Sequence, residues 1–128
     1  MRALVVDDSR AMRLILTRIL TGLGFEVYEA GDGREALDLL TADGSGTSLV
    51  LIDWNMPVMN GLDLVTAVRA DENLRHLTLI MVSTESEQKQ IVRALAAGAH
   101  EYLIKPFTPD AIADKLTLLG LSAAHTPA

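Results

Sequence analysis

The stretch Leu49-Val50-Leu51-Ile52-Asp53-Trp54-Asn55-Met56-Pro57 limits most strongly what this chain can fold into. Four large apolar residues run without alternation, a carboxylate follows, and a turn ends in proline. An unalternating run suits a strand buried on both faces, as in a parallel sheet. Asp53 then stands where that strand emerges. In open α/β sheets the carboxyl ends of the strands form the ligand crevice. Taken alone, such an aspartate is better explained as a turn or capping residue.

The same grammar recurs along the chain. Ala3-Leu4-Val5-Val6 ends in Asp7-Asp8. Phe25 to Ala30 reads as the second strand and turns at Gly31-Asp32-Gly33. Leu77 to Val82 leads into Ser83-Thr84-Glu85-Ser86, and Tyr102-Leu103-Ile104 into Lys105-Pro106-Phe107. Between these runs the apolar spacing turns helical. Ser9 caps a helix over about 10–22, with Met12, Ile15, Leu16, Ile19, Leu20 and Leu23 on one stripe. Asp32, with Glu35 at capping-box spacing, opens a second helix that buries Ala36, Leu37 and Leu40. Asp43 to Ser48 reads as a flexible polar loop. Asn60 caps a third helix on Leu62, Leu64, Val65 and Val68, and the charged run Asp71 to Arg75 ends it. A fourth helix over about 87–97 is expected to bury Val92 and Leu95, to expose Ile91 and to stop at Gly98. Thr108-Pro109 starts a fifth, on Ile112, Leu116 and Leu119. The small, polar tail Ser122 to Ala128 is expected to fray.

Five strands alternating with five helices predict an α/β fold, a parallel sheet between two helical layers. With two helices on one face and three on the other, the strand order 2-1-3-4-5 is the natural solution. At 128 residues one domain is expected, over 1–120, with 121–128 as its tail. The absence of cysteine removes disulfides and thiolate metal sites, and the formal charge of −6 argues against nucleic acid as a partner. No apolar run approaches the roughly 20 residues of a membrane span. The chain reads as a soluble cytoplasmic monomer.

In that strand order Asp7, Asp8, Asp53 and Ser83 open onto one crevice, and Lys105 ends the neighbouring strand. At about 5 Å and an effective dielectric of 20, each like-charged pair costs about 3 kcal/mol. Lys105 supplies one compensating charge. A hard divalent cation would supply more: two carboxylates, a backbone carbonyl such as that of Asn55, and water make a Mg²⁺ site. Mg²⁺, a carboxylate nucleophile, a lysine and a hydroxyl together suit phosphoryl transfer to Asp53.

The motifs Val6-Asp7-Asp8-Ser9, Asp53-Trp54-Asn55-Met56-Pro57, Asn60-Gly61, Met81-Val82-Ser83, Gly98-Ala99 and Tyr102 through Lys105-Pro106-Phe107 span nearly the whole chain. With them the sequence resembles the receiver domains of two-component response regulators, most of all the stand-alone chemotaxis regulators of the CheY type. The resemblance implies a flavodoxin-like three-layer sandwich, whose strand order in CheY-type proteins is the 2-1-3-4-5 inferred above. It implies that Asp53 takes a phosphoryl group from a sensor histidine kinase. Asp8, Asp53 and the Asn55 carbonyl would ligate Mg²⁺, with Asp7 acting through water. Lys105 would contact the phosphoryl group and precede a cis proline. Ser83 and Tyr102 match the switch hydroxyl and switch aromatic. Ile91, Tyr102 and Lys115 are then expected on the face that meets a downstream protein, the flagellar motor or another effector. Asn55 and Glu85 resemble the pair of fast-hydrolysing receivers, implying a phosphoryl lifetime of seconds to minutes. Thr84 departs from the family's usual alanine or glycine, and its β-branched side chain is expected to narrow access to Asp53. Asn60 stands where aspartate is common.

The reading is a phosphorylation-switched binding module, not a conventional enzyme, either free-standing or cut from a larger regulator. A haloacid-dehalogenase-type phosphatase would need a second aspartate where Asn55 stands, and a cap domain for which there is no room. A flavodoxin-like electron carrier would not place Asp7-Asp8 against a flavin phosphate.

Overall fold

The computed structural model describes residues 1–121; the expectation for Ser122 to Ala128 lies outside the described residues. The elements run β1 (Arg2–Val6), α1 (Arg10–Gly22), β2 (Glu26–Ala30), α2 (Gly33–Asp43), β3 (Thr47–Ile52), α3 (Gly61–Ala70), β4 (Thr78–Ser83), α4 (Gln88–Ala97), β5 (Glu101–Ile104) and α5 (Pro109–Leu118). The five strands form one parallel sheet in the order β2-β1-β3-β4-β5.

Strand parity divides the core into two layers. Leu4, Val6, Val50, Ile52, Leu79 and Met81 point to the face covered by α2, α3 and α4. Ala3, Val5, Leu49, Leu51, Ile80 and Val82 point to the face covered by α1 and α5. Both faces of the central strands are therefore apolar, which is why their sequences do not alternate. Leu121 packs on the second layer and its N–H donates to the Leu116 carbonyl, so the packed body extends to that residue.

The caps are local side-chain chemistry. Ser9 Oγ accepts from Met12 N–H, Asp32 from Glu35 N–H, Asn60 from Asp63 N–H and Thr108 from Ala111 N–H. Each satisfies an N–H that the first helical turn leaves without an intrahelical partner. Glu35 reaches back to the Gly31 N–H at 3.3 Å rather than to Asp32 itself, so the reciprocal half of the expected box is displaced by one residue.

Two local expectations are corrected, and a third, that the charged run ends α3, holds with an addition. The segment read as a flexible loop is mostly regular: α2 continues to Asp43, β3 begins at Thr47, and the Thr47 hydroxyl is buried 2.7 Å from the Tyr28 hydroxyl. The charged run after α3 folds into a 3-10 turn at Glu72–Leu74, because Leu74 has a core position to fill. On α4 the stripe is rotated. Ala94 is buried and Ile91, one turn before it, packs against the core, while Val92 and Leu95 are 55% and 42% exposed. The inward face of α4 is thus the one that carries Ile91 and Ala94, not the one that carries Val92 and Leu95.

Val58, in the turn between β3 and α3, has φ of 68° and is 82% exposed. A β-branched residue in the left-handed region carries roughly 1–2 kcal/mol of backbone strain, and no packing compensates it here. Val58→Asn, whose side chain tolerates that region, is predicted to stabilise the protein by about 1 kcal/mol. Urea unfolding at an unchanged m-value is the check; an unchanged midpoint would contradict the strain.

Candidate active site and its family

The parallel ladders run one residue past the strand ends, and this places the functional groups. The Asp53 N–H donates to the Val6 carbonyl at 2.9 Å, the Asp7 N–H to Ala30 at 3.2 Å and the Lys105 N–H to Ser83 at 2.9 Å. Asp7, Asp53, Ser83 and Lys105 are thereby fixed by backbone bonds at one end of the sheet. One carboxylate oxygen from each of Asp7, Asp8 and Asp53 lies within 4.8 Å of the others. Asp7 and Asp53 are buried and Asp8 is exposed.

Lys105 joins the cluster from β5. Its Nζ lies 2.9 Å from Asp7 Oδ2 and 3.5 Å from Asp53 Oδ1. The Lys105-Pro106 peptide is cis, as the resemblance implied. One ammonium does not balance three carboxylates. Burial, then the charge of Asp7, hold the Asp53 carboxyl above its ordinary value of 3.8, with Lys105 opposing and Asp8 adding. A cluster of hard oxygen donors with uncompensated negative charge fits a divalent cation of the Mg²⁺ class. Two surface cavities, of about 430 and 480 Å³ against α2 and α1, contain none of these groups.

The turn after Asp53 is tightly built. The Gly61 N–H donates to the Trp54 carbonyl at 2.8 Å, and a Cβ on Gly61 would overlap the Asp53 carbonyl oxygen. Only glycine lets α3 start this close to the site. Across the mouth, Asn55 Nδ2 donates to Glu85 Oε1 at 3.2 Å. Thr84 is exposed beside the fully buried Ser83.

Ser83, Glu85 and Tyr102 form a relay. Ser83 Oγ accepts from the Glu85 N–H at 3.2 Å, and the Tyr102 hydroxyl donates to the Glu85 carbonyl at 2.8 Å. The Tyr102 ring is already inside, 7% exposed and 6.5 Å from the Trp54 ring centroid. Burial pushes its phenol above the ordinary value, the Ser83 hydroxyl opposing and the Glu85 and Asp53 charges adding. Lys115, expected to be open to a partner, pairs with Glu101 at 3.3 Å and is half-buried.

Sequence reasoning missed two contributors. Arg13 of α1 donates to the Asp7 carbonyl, and Arg93 of α4 lies 5.9 Å over the Trp54 ring. A surface arginine on an amphipathic helix carries no signal for either contact.

The response regulator receiver domain model matches residues 3–117 of the chain. The chain belongs to the response regulator receiver family. Chemotaxis protein CheY1 of Helicobacter pylori is 46% identical over 120 residues, 93% of this chain and 96% of that one. Chemotaxis protein CheY of Pseudomonas aeruginosa is 44% identical over 117 residues, 91% and 93% of the two chains. The solved chemotaxis response regulator CheY4 of Vibrio cholerae superposes with a TM-score of 0.83 at 35% identity, over 92% and 97%. A chain of the CheX-CheY-BeF3-Mg²⁺ complex from Borrelia burgdorferi gives 0.88 at 25% identity, over 94% and 89%. The chain is thus a receiver of two-component response regulators, and the relatives named here are chemotaxis proteins. Among its described residues no helix is long and apolar enough to cross a membrane.

The raised Asp53 carboxyl has a stability consequence of definite sign. The unfolded chain releases that proton at lower pH than the fold does, so the fold loses stability as pH rises through the folded value. Asp53→Asn is therefore predicted to stabilise the metal-free receiver at pH 7 by about 1 kcal/mol, roughly 3–5 °C in Tm. The gap should close below about pH 4, where the unfolded carboxyl is also protonated. Denaturation curves at the two pH values check this; a mutant less stable at pH 7 contradicts it.

Proposed function

We propose that Asp53 is the phosphoacceptor of this receiver and that the phosphodonor is the phosphohistidine of a sensor kinase. The observation that carries the reading is the convergence of Asp7, Asp8 and Asp53 within 4.8 Å beside the Lys105 ammonium. A carboxylate oxygen of Asp53 attacks phosphorus, the P–N bond to the imidazole breaks, and the leaving nitrogen carries off the electron pair. Lys105 is placed to bind a phosphoryl oxygen as charge develops on it. Asp7, Asp8, Asp53 and the Asn55 carbonyl would hold Mg²⁺. That ion, when bound, neutralises the phosphoryl charge against the carboxylates. The finding that a similar chain was solved with BeF3 and Mg²⁺ supports the choice of metal.

Asn55 and Glu85, hydrogen-bonded across the mouth, would hold the water that hydrolyses the adduct, and exposed Thr84 would border its path. Incubation with acetyl phosphate and Mg²⁺ should add one base-labile phosphoryl group, lost within seconds to minutes at neutral pH. Asp53→Asn should accept none. Equal labelling of both proteins by intact mass would overturn the assignment.

The relay supports a route from Asp53 to a partner face. If Ser83 turns its hydroxyl to the phosphoryl group, the Glu85 N–H loses its acceptor, and a shift of the Glu85 backbone would carry the Tyr102 hydroxyl, held on its carbonyl, with it. The surface that senses this is α4, β5 and α5. Its exposed apolar anchors are Val92, Leu95 and Ile104, with Ile91 as packing beneath them and Lys115 at the rim. In a cytoplasmic chemotaxis pathway the partner would be a downstream protein such as the flagellar motor. Adding BeF3 and Mg²⁺ should move NMR resonances of residues 87–119 as well as those around Asp53. Shifts confined to the crevice would refute the coupling.

A further inference from the structure

Asp7 and Asp8 adjoin in sequence, yet the fold treats them oppositely. Every polar atom of Asp7 is engaged. Its N–H donates to the Ala30 carbonyl at 3.2 Å. Its Oδ1 accepts from Ser9 N–H at 2.8 Å, and its Oδ2 from Lys105 at 2.9 Å. Its carbonyl oxygen accepts from Arg13 Nη1 at 2.6 Å. Asp8 is exposed, and among the described residues no hydrogen bond to its carboxylate is found.

Repulsion from Asp7 and Asp53 favours a turn in which the Asp8 carboxylate swings outward. What opposes this is the peptide that joins it to Asp7, and the oxygen of that peptide is the one Arg13 holds. Arg13 is aimed in turn: its Nε lies 3.0 Å from Glu29 Oε1, near the end of β2, and its side chain is mostly buried.

We propose that Arg13 is a positioning residue for divalent-cation binding: gripped by Glu29, it clamps the Asp7-Asp8 peptide so that Asp8 faces the acidic cluster before the cation arrives. The proposal rests on the Mg²⁺ reading above. Without the clamp, only a fraction of molecules presents Asp8 inward, and apparent affinity falls by that fraction.

The test is Mg²⁺ titration by calorimetry on the full chain, with urea unfolding of each metal-free variant alongside. Arg13→Ala is expected to weaken Mg²⁺ binding about tenfold, the usual loss when a group supporting a metal ligand is removed. Glu29→Gln, which frees Arg13 but leaves it in place, should weaken it by a smaller factor. Arg13→Lys keeps the charge and loses the forked geometry; it should bind Mg²⁺ more weakly than wild type. Asp8→Asn serves as the control for the site. If it weakens binding while Arg13→Ala and Arg13→Lys stay within about twofold of wild type, Arg13 is merely structural and the proposal is overturned. Full recovery by lysine after a loss in alanine overturns positioning in favour of charge. Should Asp8→Asn itself leave Mg²⁺ binding intact, the metal reading fails and takes the clamp with it.

Discussion

The buried ion pair between Lys105 and Asp7 is the contact on which the site depends. The two groups, 2.9 Å apart, come from opposite ends of the chain, Asp7 after the first strand and Lys105 after the last. Parallel topology brings them together, and the low exposure of both makes the pair costly to break. Removing one partner of such a pair typically destabilises by about 3–5 kcal/mol, because the other charge is left buried alone. Lys105 also reaches Asp53, so one ammonium serves two carboxylates and satisfies neither fully. Burial, and then the incompletely balanced charge of Asp7, keep the Asp53 carboxyl above its ordinary range, and the cluster stays receptive to a cation.

The same scarcity of partners links the site to the surface. Ser83, wholly buried, accepts from the Glu85 N–H, and the Glu85 carbonyl receives the Tyr102 hydroxyl. A single residue, Glu85, thus stands between the strand end nearest Asp53 and an aromatic ring under α4. Arg93 lies over the ring of Trp54, the residue that follows Asp53, so α4 touches the site on a second side. The Tyr102 ring already occupies the interior. In the proposed switch, redistribution of these hydrogen bonds would carry the signal, and a few kcal/mol of difference would shift the population.

Much of this was legible in the chain itself. The largely unalternating runs at Ala3–Val6, Leu49–Ile52 and Leu77–Val82 have one physical cause, burial on both faces, and a parallel sheet covered by helices provides it. The polar residues that end those runs follow from it, since the strand ends are where the backbone leaves the core. Capping residues Ser9, Asp32, Asn60 and Thr108 could be placed because a cap is a contact within one turn.

What the sequence by itself determined is whatever depends on neighbours a few residues apart: strand burial, helix starts, and which residue types stand at the strand ends. Only the tertiary structure decided which face of α4 turns inward, with Ala94 buried and Ile91 packed on the core while Val92 and Leu95 face outward. It alone decided that Arg13 reaches Asp7 rather than water, and that Val58 takes a left-handed backbone to close its turn. These features depend on distances between elements remote in sequence, and neither the periodicity nor the propensity of a single segment encodes them.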